Sequence, residues 1–300
     1  LVGAATPFFG SWKTGPALPV ARSEVAVATL NDRIYVIGGY ANGNVDQARV
    51  DVYEPETITH GGATVFYGWR PAAPLPRGLN HVAAVALGGK IYTFGGFSAQ
   101  NSSAVDDANV YDPRTDRWSP IAPLPHALGS VSVAALGNQI HLVGGRDAHS
   151  VATHVVYDPA ANRYSQRAPL PVGRDHMGLV AYDERLYAIG GRIDTPAHNT
   201  ALVDIYDPKT DRWHSGAPLP QPRSGTAVAE YQGRIHVIGG EEAGMAEAFA
   251  TNFAYDPVAN AWSEDAPLPQ GRHGTGAAVI GGRLFIPGGA PVPGGSRQSD

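Results

Sequence analysis

The chain has 300 residues, with 22 Lys plus Arg against 27 Asp plus Glu, a formal charge of −5. This balance leaves no general basic face for nucleic acid. The lack of Cys excludes disulfides, thiolate metal sites and a cysteine nucleophile, and no apolar run reaches the roughly 18 residues of a membrane span.

The chain starts at Leu1, and residues 1–10 carry no basic stretch followed by an apolar one. Any signal peptide is therefore expected to be already removed or never present. The lack of Cys fits export, and an extracytoplasmic location (secreted or periplasmic) is the expectation.

From residue 20 onward one pattern repeats. A small, β-branched strand at 25–30 is followed by Arg-Ile-Tyr-Val-Ile at 33–37 and then Gly38-Gly39. A third strand ends in Tyr53-Glu54-Pro55, and a fourth starts at Trp69. The Gly-Gly pair returns at Gly95-Gly96, Gly144-Gly145, Gly190-Gly191, Gly239-Gly240 and Gly288-Gly289, at spacings of 57, 49, 46, 49 and 49. Tyr-Asp-Pro returns at Tyr111, Tyr157, Tyr206 and Tyr255, each followed seven residues later by Trp118, Tyr164, Trp213 or Trp262. A Pro-Leu-Pro run ends at Pro76, Pro125, Pro171, Pro220 and Pro269, with Ala-Leu-Pro at Pro19. Short strands and tight turns at this period predict an all-β propeller with four antiparallel strands per blade and almost no helix. The glycines supply backbone conformations or close approaches that a Cβ would block. The Trp and Tyr rings fill the gaps between blades.

Leu1, Val2, Pro7 and Trp12 stand in register with Leu202, Val203, Pro208 and Trp213. The last blade is therefore expected to close by two plus two strands, from about 1–19 and 270–289, which removes open edges. Residues 290–300 then form a tail, and 1–300 is one domain. Between Tyr53 and Trp69 lie 16 residues instead of the usual 7. The extra stretch, with His60-Gly61-Gly62, is expected as a neutral loop on the face opposite the Gly-Gly ends.

The Gly-Gly pairs, Tyr-Asp-Pro turns and spaced Trp residues resemble the Kelch repeat family over essentially the whole chain, in a bacterial-type, single-domain form. The resemblance implies a six-bladed Kelch β-propeller.

In such a ring, the start of strand one and the end of strand two meet at one mouth. One column there is Glu24, His81, Ser130, His176, Gly225 and Gly274; two residues further on every position is Ala, Ser or Gly. Beside it stand Arg22, Arg174, Arg223 and Arg272, three residues after each Pro, and Tyr40, Phe97, Arg146, Arg192 and Glu241, directly after Gly-Gly. Six arginines around one opening suit an anionic ligand, because guanidinium forks bind carboxylate or phosphate bidentately. The ligand-binding set is thus Arg22, Tyr40, Phe97, Arg146, Arg174, Arg192, Arg223 and Arg272. Arg in the third position also belongs to the usual Kelch pattern, which leaves Arg146 and Arg192 as the distinctive pair. Glu24, His81, His176 and Glu241 are the candidate acid/base groups. Glu24, His81 and His176 are also of metal-ligand type, but would have to converge across the opening. Asp147, His149 and His154 match no strong metal motif, and His141 and His236 read as packed aromatic replacements. No metal or other cofactor is expected. There is no Gly-x-Ser-x-Gly elbow and no phosphate-binding glycine loop.

Among enzymes with Kelch propellers, copper radical oxidases need a Tyr–Cys cross-link, and nitrile-specifier proteins an iron-binding run that this chain lacks. Bacterial sialic acid mutarotases are of similar architecture and size, while ubiquitin-ligase adaptors bind acidic peptides at an Arg-rich mouth. Two expectations follow. The first is a ligand- or protein-binding module whose mouth takes an anionic small molecule or an acidic peptide or protein. The alternative is an exported small-molecule enzyme of sugar mutarotase/epimerase type using acid/base residues in the same mouth. A purely structural propeller is the third possibility, and a monomer is expected in each case.

Overall fold

The computed structural model of the chain describes residues 9–55, 59–60, 63–64, 68–295 and 297–299. Five antiparallel sheets of four strands radiate as blades, each running from the axis outward in chain order. Blade 1 comprises Ala26–Leu30, Arg33–Ile37, Val50–Glu54 and Gly68–Ala72; blade 2, Ala83–Leu87, Lys90–Phe94, Ala108–Asp112 and Arg117–Pro120. Blade 3 comprises Ser132–Leu136, Gln139–Val143, His154–Asp158 and Arg163–Gln166; blade 4, Gly178–Tyr182, Arg185–Ile189, Val203–Asp207 and Arg212–Ser215. Blade 5 comprises Ala227–Tyr231, Arg234–Ile238, Asn252–Asp256 and Ala261–Asp265.

The expected six-bladed Kelch propeller is corrected to five blades. In the sixth repeat, Ala278–Ile280 pairs with Arg283–Phe285 in a sheet of two strands, set between blades 5 and 1. Of the N-terminal stretch expected to complete it, residues 9–19 form no strand, and residues 1–8 lie outside the described residues. Among the described residues there is no α-helix, only 3₁₀ turns at Pro196–His198 and Pro293–Gly295. The blade 1 insertion forms a small hairpin, Thr59–His60 with Ala63–Thr64; Gly61 and Gly62 lie outside the described residues.

The core lies between blades. Both faces of the second and third strands are covered, so Ile34, Tyr35, Val36 and Ile37 are all buried. The repeat marks have matching jobs. The indoles of Trp118, Trp213 and Trp262 donate to Ala73 O, Ala168 O and Ala217 O of the preceding blade at 2.8–2.9 Å. Trp12 donates in the same way to Ala266 O at 2.7 Å. Tyr111, Tyr206 and Tyr255 donate to Asp116, Asp211 and Asn260, five residues on. Those side chains also accept the N–H of Ala73, Ala168 and Ala217. Buried polar groups are thereby paired.

The second glycine of each pair ties one blade to the next. Gly39 donates its N–H to Leu79 O, Gly145 to Arg174 O, and Gly289 to Arg22 O, each at 2.8–2.9 Å. A Cβ on Gly39, at φ +93°, would lie 2.4 Å from Ser23 O of its own blade's entry, and one on Gly38 would lie 2.7 Å from Leu79 O of the next blade, so both positions call for glycine.

The arginine column belongs to these walls and not to the opening. Arg22, Arg174 and Arg223 are fully buried. Each reaches the carbonyl of the first glycine sixteen residues ahead: Arg22 to Gly38 O at 2.8 Å, Arg174 to Gly190 O at 2.9 Å, and Arg223 to Gly239 O at 2.9 Å. Arg272 does the same with Gly288 O at 2.8 Å. Arg22 and Arg174 pair with buried Asp51 and Asp204, while Arg223 lies over the rings of Phe249 and Phe253. The sequence-based placement of these four as mouth ligands is therefore corrected.

Replacing Arg174 with Met strands the Asp204 carboxylate in the wall. The expected loss is about 3–5 kcal/mol of stability, with much of it recovered in Arg174→Met/Asp204→Leu. Urea midpoints of the two variants check this; equal losses in both would contradict it.

Candidate functional site

One mouth of the ring is built from two adjoining columns. The residue before each member of the Glu24 column pairs as a β-bridge with the residue after Gly-Gly: Asn80 with Phe97, Gly129 with Arg146, Asp175 with Arg192, Ser224 with Glu241. The Glu24 column itself forms a collar. Glu24, His81, Ser130 and His176 hold φ of 52°, 50°, 51° and 52°, and Gly225 and Gly274 hold 65° and 64°. Backbone hydrogen bonds pass around it: His81 N–H to Glu24 O at 3.0 Å, Ser130 to His81 O at 3.1 Å, Gly225 to His176 O at 2.9 Å, and Gly274 to Gly225 O at 2.9 Å. Left-handed backbone at four non-glycine residues costs on the order of 1–3 kcal/mol each and is held by this collar. Below it lies a cavity of about 190 Å³, walled by small residues such as Ala26, Ala83, Ser132 and Gly276.

The side chains of Glu24, His81 and His176 converge after all, with one ligand-type atom of each within 4.8 Å of the others. Glu24 reaches across because Gly274 has no side chain; a Cβ there would lie 2.5 Å from Glu24 Oε1. His81 Nε2 is 3.0 Å from Glu24 Oε2. Its Nδ1 bonds Asn80 Oδ1, and the Asn80 amide nitrogen is spent on Asp46 and Phe97 O, which fixes that oxygen as an acceptor. His81 is thus held between two acceptors, the Glu24 carboxylate and the Asn80 amide oxygen. Burial would raise the Glu24 carboxyl, but His81 and His273 hold it well below the usual carboxylate range.

His176 has the opposite setting. Its Nδ1–H donates to Asp175, and its Nε2 accepts an N–H from Arg192 Nη2 at 2.8 Å. The imidazole is neutral; burial and the Arg192 charge lower it to about 4. Arg192 also bonds Asp175 through Nε at 3.2 Å and Glu241 Oε1 through Nη1 at 2.8 Å. His273, raised by Glu24 and Glu241 against its burial, faces Glu24 Oε1 at 3.4 Å and Glu241 Oε2 at 3.6 Å. Residues 290–294 are no free tail: Val292 O accepts from His273 Nε2, and Gly294 N–H donates to Glu241 Oε2 at 2.9 Å.

Glu24, His81 and His176 do not fit a metal in this arrangement. The His176 lone pair is taken by a guanidinium, whose charge lies beside any cation placed there. Asp147, His149 and His154 do not assemble: His149 faces Asp194, and His154 is buried against His141 and Ala168 O. His141 and His236 are buried packing residues. Tyr40 and Phe97 are buried under the mouth at 5% and 2% exposure, too little for a flat aromatic docking face. Arg146 lies over Phe97, and its guanidinium donates to Asp194 O at 3.4 Å. Among the described residues, no carboxylate pairs with it. A larger cavity of about 540 Å³ flanks blade 3, where Leu128 and Val155 stand in place of an Arg–Asp pair, but its mostly apolar wall gathers no reactive set.

Sequence reasoning missed Asn80, Asp175 and His273. The signal was their place directly before His81, His176 and Gly274, in a strand whose next residue faces the opening.

The family model for N-acetylneuraminate epimerase matches residues 65–300, and a Kelch motif matches 21–57. The fold and site thus define a Kelch-type propeller with an ionisable mouth. The chain belongs to the N-acetylneuraminate epimerase family. It is 34% identical over 127 residues to Kelch-like protein terF of Aspergillus terreus, covering 37% of this chain and 25% of that protein. It is 33% identical over 103 residues to F-box/kelch-repeat protein At1g67480 of Arabidopsis thaliana, 33% of this chain and 25% of that protein. The chain therefore spans about a quarter of the length of these relatives. The solved structure of YjhT superposes with a TM-score of 0.79, covering 95% of both chains at 17% identity, a likeness of fold.

Burial lowers four imidazoles in the folded chain: His141 to about 3, His154 to about 4, His176 to about 4, and His236 in the same direction. Unfolded, they take protons near about 6.5. The unfolded chain then binds more protons below that pH, so stability falls as pH drops from about 6.5 towards 4. His273 has the opposite sign, since its raised state favours the fold at low pH and loses that contribution as pH rises through it. Melting temperature against pH is expected to fall on the acid side, and less steeply in His141→Phe. An unchanged slope in that variant would contradict the assignment.

Proposed function

We propose that the chain is an acid/base enzyme that interconverts the anomers of a carboxylated sugar of the N-acetylneuraminate class at this mouth. The carrying observation is a pair of facing imidazoles in opposite hydrogen-bond settings, His81 between two acceptors and His176 between the Asp175 acceptor and the Arg192 donor, with ring centroids 4.7 Å apart. A guanidinium with no carboxylate partner among the described residues, Arg146, lies over Phe97, whose ring in turn packs on His81. The family membership supports the substrate class.

Anomer interconversion needs one base and one acid at the same centre. His176 Nε2 takes the proton of the anomeric hydroxyl. The bond from the anomeric carbon to the ring oxygen breaks as the carbonyl forms, and His81 Nε2–H protonates the departing ring oxygen. Rotation about the adjacent carbon–carbon bond presents the other carbonyl face. The ring oxygen then re-attacks, returning its proton to His81, and the new anomeric oxygen recovers the proton from His176. Asp175 orients His176 and stabilises its cation; Glu24 and Asn80 do the same for His81. Arg146 and Arg192 hold the sugar carboxylate. The protein-docking alternative loses its aromatic face, because Tyr40 and Phe97 are buried.

Freshly dissolved N-acetylneuraminate, followed by NMR, is expected to reach its anomeric equilibrium faster with the protein present. His81→Gln and His176→Gln are each expected to lower kcat roughly 10²–10⁴-fold. Arg146→Ala is expected to raise KM with a smaller effect on kcat. No acceleration by the wild-type protein at any pH between 5 and roughly 8, the range over which an imidazole pair titrates, would sink the reading.

A further inference from the structure

We propose that Arg192 is a latch that keeps the base His176 occupied until a substrate carboxylate pulls it away. This rests on the carboxylated-sugar reading above and names how the same site rejects uncharged sugars.

Arg192 makes three kinds of bond, and they are not equal. Its Nε and Nη1 hold Asp175 and Glu241, both anions. Both partners are themselves fixed, Asp175 by Ser150 Oγ and Glu241 by the Gly294 N–H. Its Nη2 instead donates to a neutral acceptor, the lone pair of His176 Nε2. Charge-assisted bonds to a carboxylate are roughly twice as strong as bonds to a neutral acceptor. A carboxylate entering the mouth therefore competes for Nη2 and leaves the other two bonds intact. Arg146 can help to hold that carboxylate, since its guanidinium reaches Asp194 O in the same loop, two residues from Arg192.

While Nη2 holds the lone pair, His176 cannot accept a proton. The groups facing its ring are Asp175 at Nδ1, Ser130 Oγ at 3.4 Å, the His81 ring at 4.7 Å, and Glu24 within 4.8 Å. Of these, Asp175 and Glu24 favour its protonation, and any charge on His81 opposes it. Arg192 is a cation, and the second cause after burial of the low value of His176. Turning its Nη2 towards a bound anion removes a donor from Nε2 and offsets that charge, so the base becomes available when the substrate arrives. Arg192 acts through His176 and is a positioning residue in this respect. Discrimination against uncharged sugars then falls on kcat as well as on binding.

The test is NMR of the protein labelled with ¹⁵N-histidine. Without ligand, His176 is expected to titrate near about 4, and at least tenfold closer to neutrality in proton concentration in Arg192→Met. In the wild type, N-acetylneuraminate is expected to shift the Nε2 signal towards an unbonded lone pair and to raise the titration. Its methyl ester, at concentrations that occupy the mouth, is expected to do neither and to turn over at least 10²-fold more slowly at saturation. An unmoved titration in Arg192→Met overturns the latch whatever the substrate is. If that variant shifts but the acid leaves wild-type His176 unchanged, the latch bond exists but the carboxylate trigger is wrong; a lack of anomer catalysis in the same samples assigns that failure to the substrate reading. Equal effects of acid and ester overturn the trigger with catalysis intact. Should Arg192→Met not fold, the acid–ester comparison on the wild type decides alone.

Discussion

The N–H of the second glycine in each Gly-Gly pair donates to a carbonyl in the next blade's entry segment, and the ring depends on that repeated bond. It requires a backbone at positive φ pressed against a neighbouring strand, where a Cβ would collide. It also sets how closely adjacent inner strands approach. The last such bond, from Gly289 to Arg22 O, joins the C-terminal repeat to the entry of blade 1. The buried arginines reinforce the same junction by filling the carbonyl of the first glycine, and the Trp and Tyr clamps repeat the coupling on the opposite face. With both ends of every blade pinned, the inner strands are brought so near the axis that only Ala, Ser and Gly fit below the collar.

That closeness produces the chemistry above it. Three carboxylates, Glu24, Asp175 and Glu241, lie within a few contacts of one guanidinium, Arg192, in a region largely closed to water. Unbalanced buried charge is costly, so the remaining imidazoles divide the protons between them. His273, facing Glu24 and Glu241, favours the cation; His176, buried beside Arg192, stays neutral. Acid and base at one mouth therefore arise from placement and not from residue type. Arg146 stands outside this balance, and its charge remains available to an anion.

Much of the architecture was legible because each repeat mark answers a local demand. Gly-Gly meets a steric limit, Tyr-Asp-Pro a turn, and Trp a gap between blades. The blade count was misjudged because the sixth sheet was expected to be closed two plus two by strands from about 1–19. The sixth repeat carries only a two-stranded sheet, and residues 9–19 share Trp12 with the pattern but not its strand. The mouth arginines were overcounted for a related reason. Arg22, Arg174, Arg223 and Arg272 stand near the opening in sequence, yet sixteen residues on each meets a carbonyl that consumes its donors. Asn80, Asp175 and His273 were overlooked because they precede the inward-facing column by one residue; in a collar of left-handed residues, side chains one position apart can meet.

By itself the sequence determined the class of fold, the absence of cysteine chemistry, and the residue types around one mouth, since these depend on local spacing and composition. Tertiary structure alone decided which of those residues share a proton. Glu24, His81 and His176 come from blades 1, 2 and 4, and their meeting depends on a missing side chain at Gly274 and on the left-handed turn of the collar. No spacing along the chain encodes that distance. It follows from how far each blade is drawn towards the axis by contacts made with its neighbours.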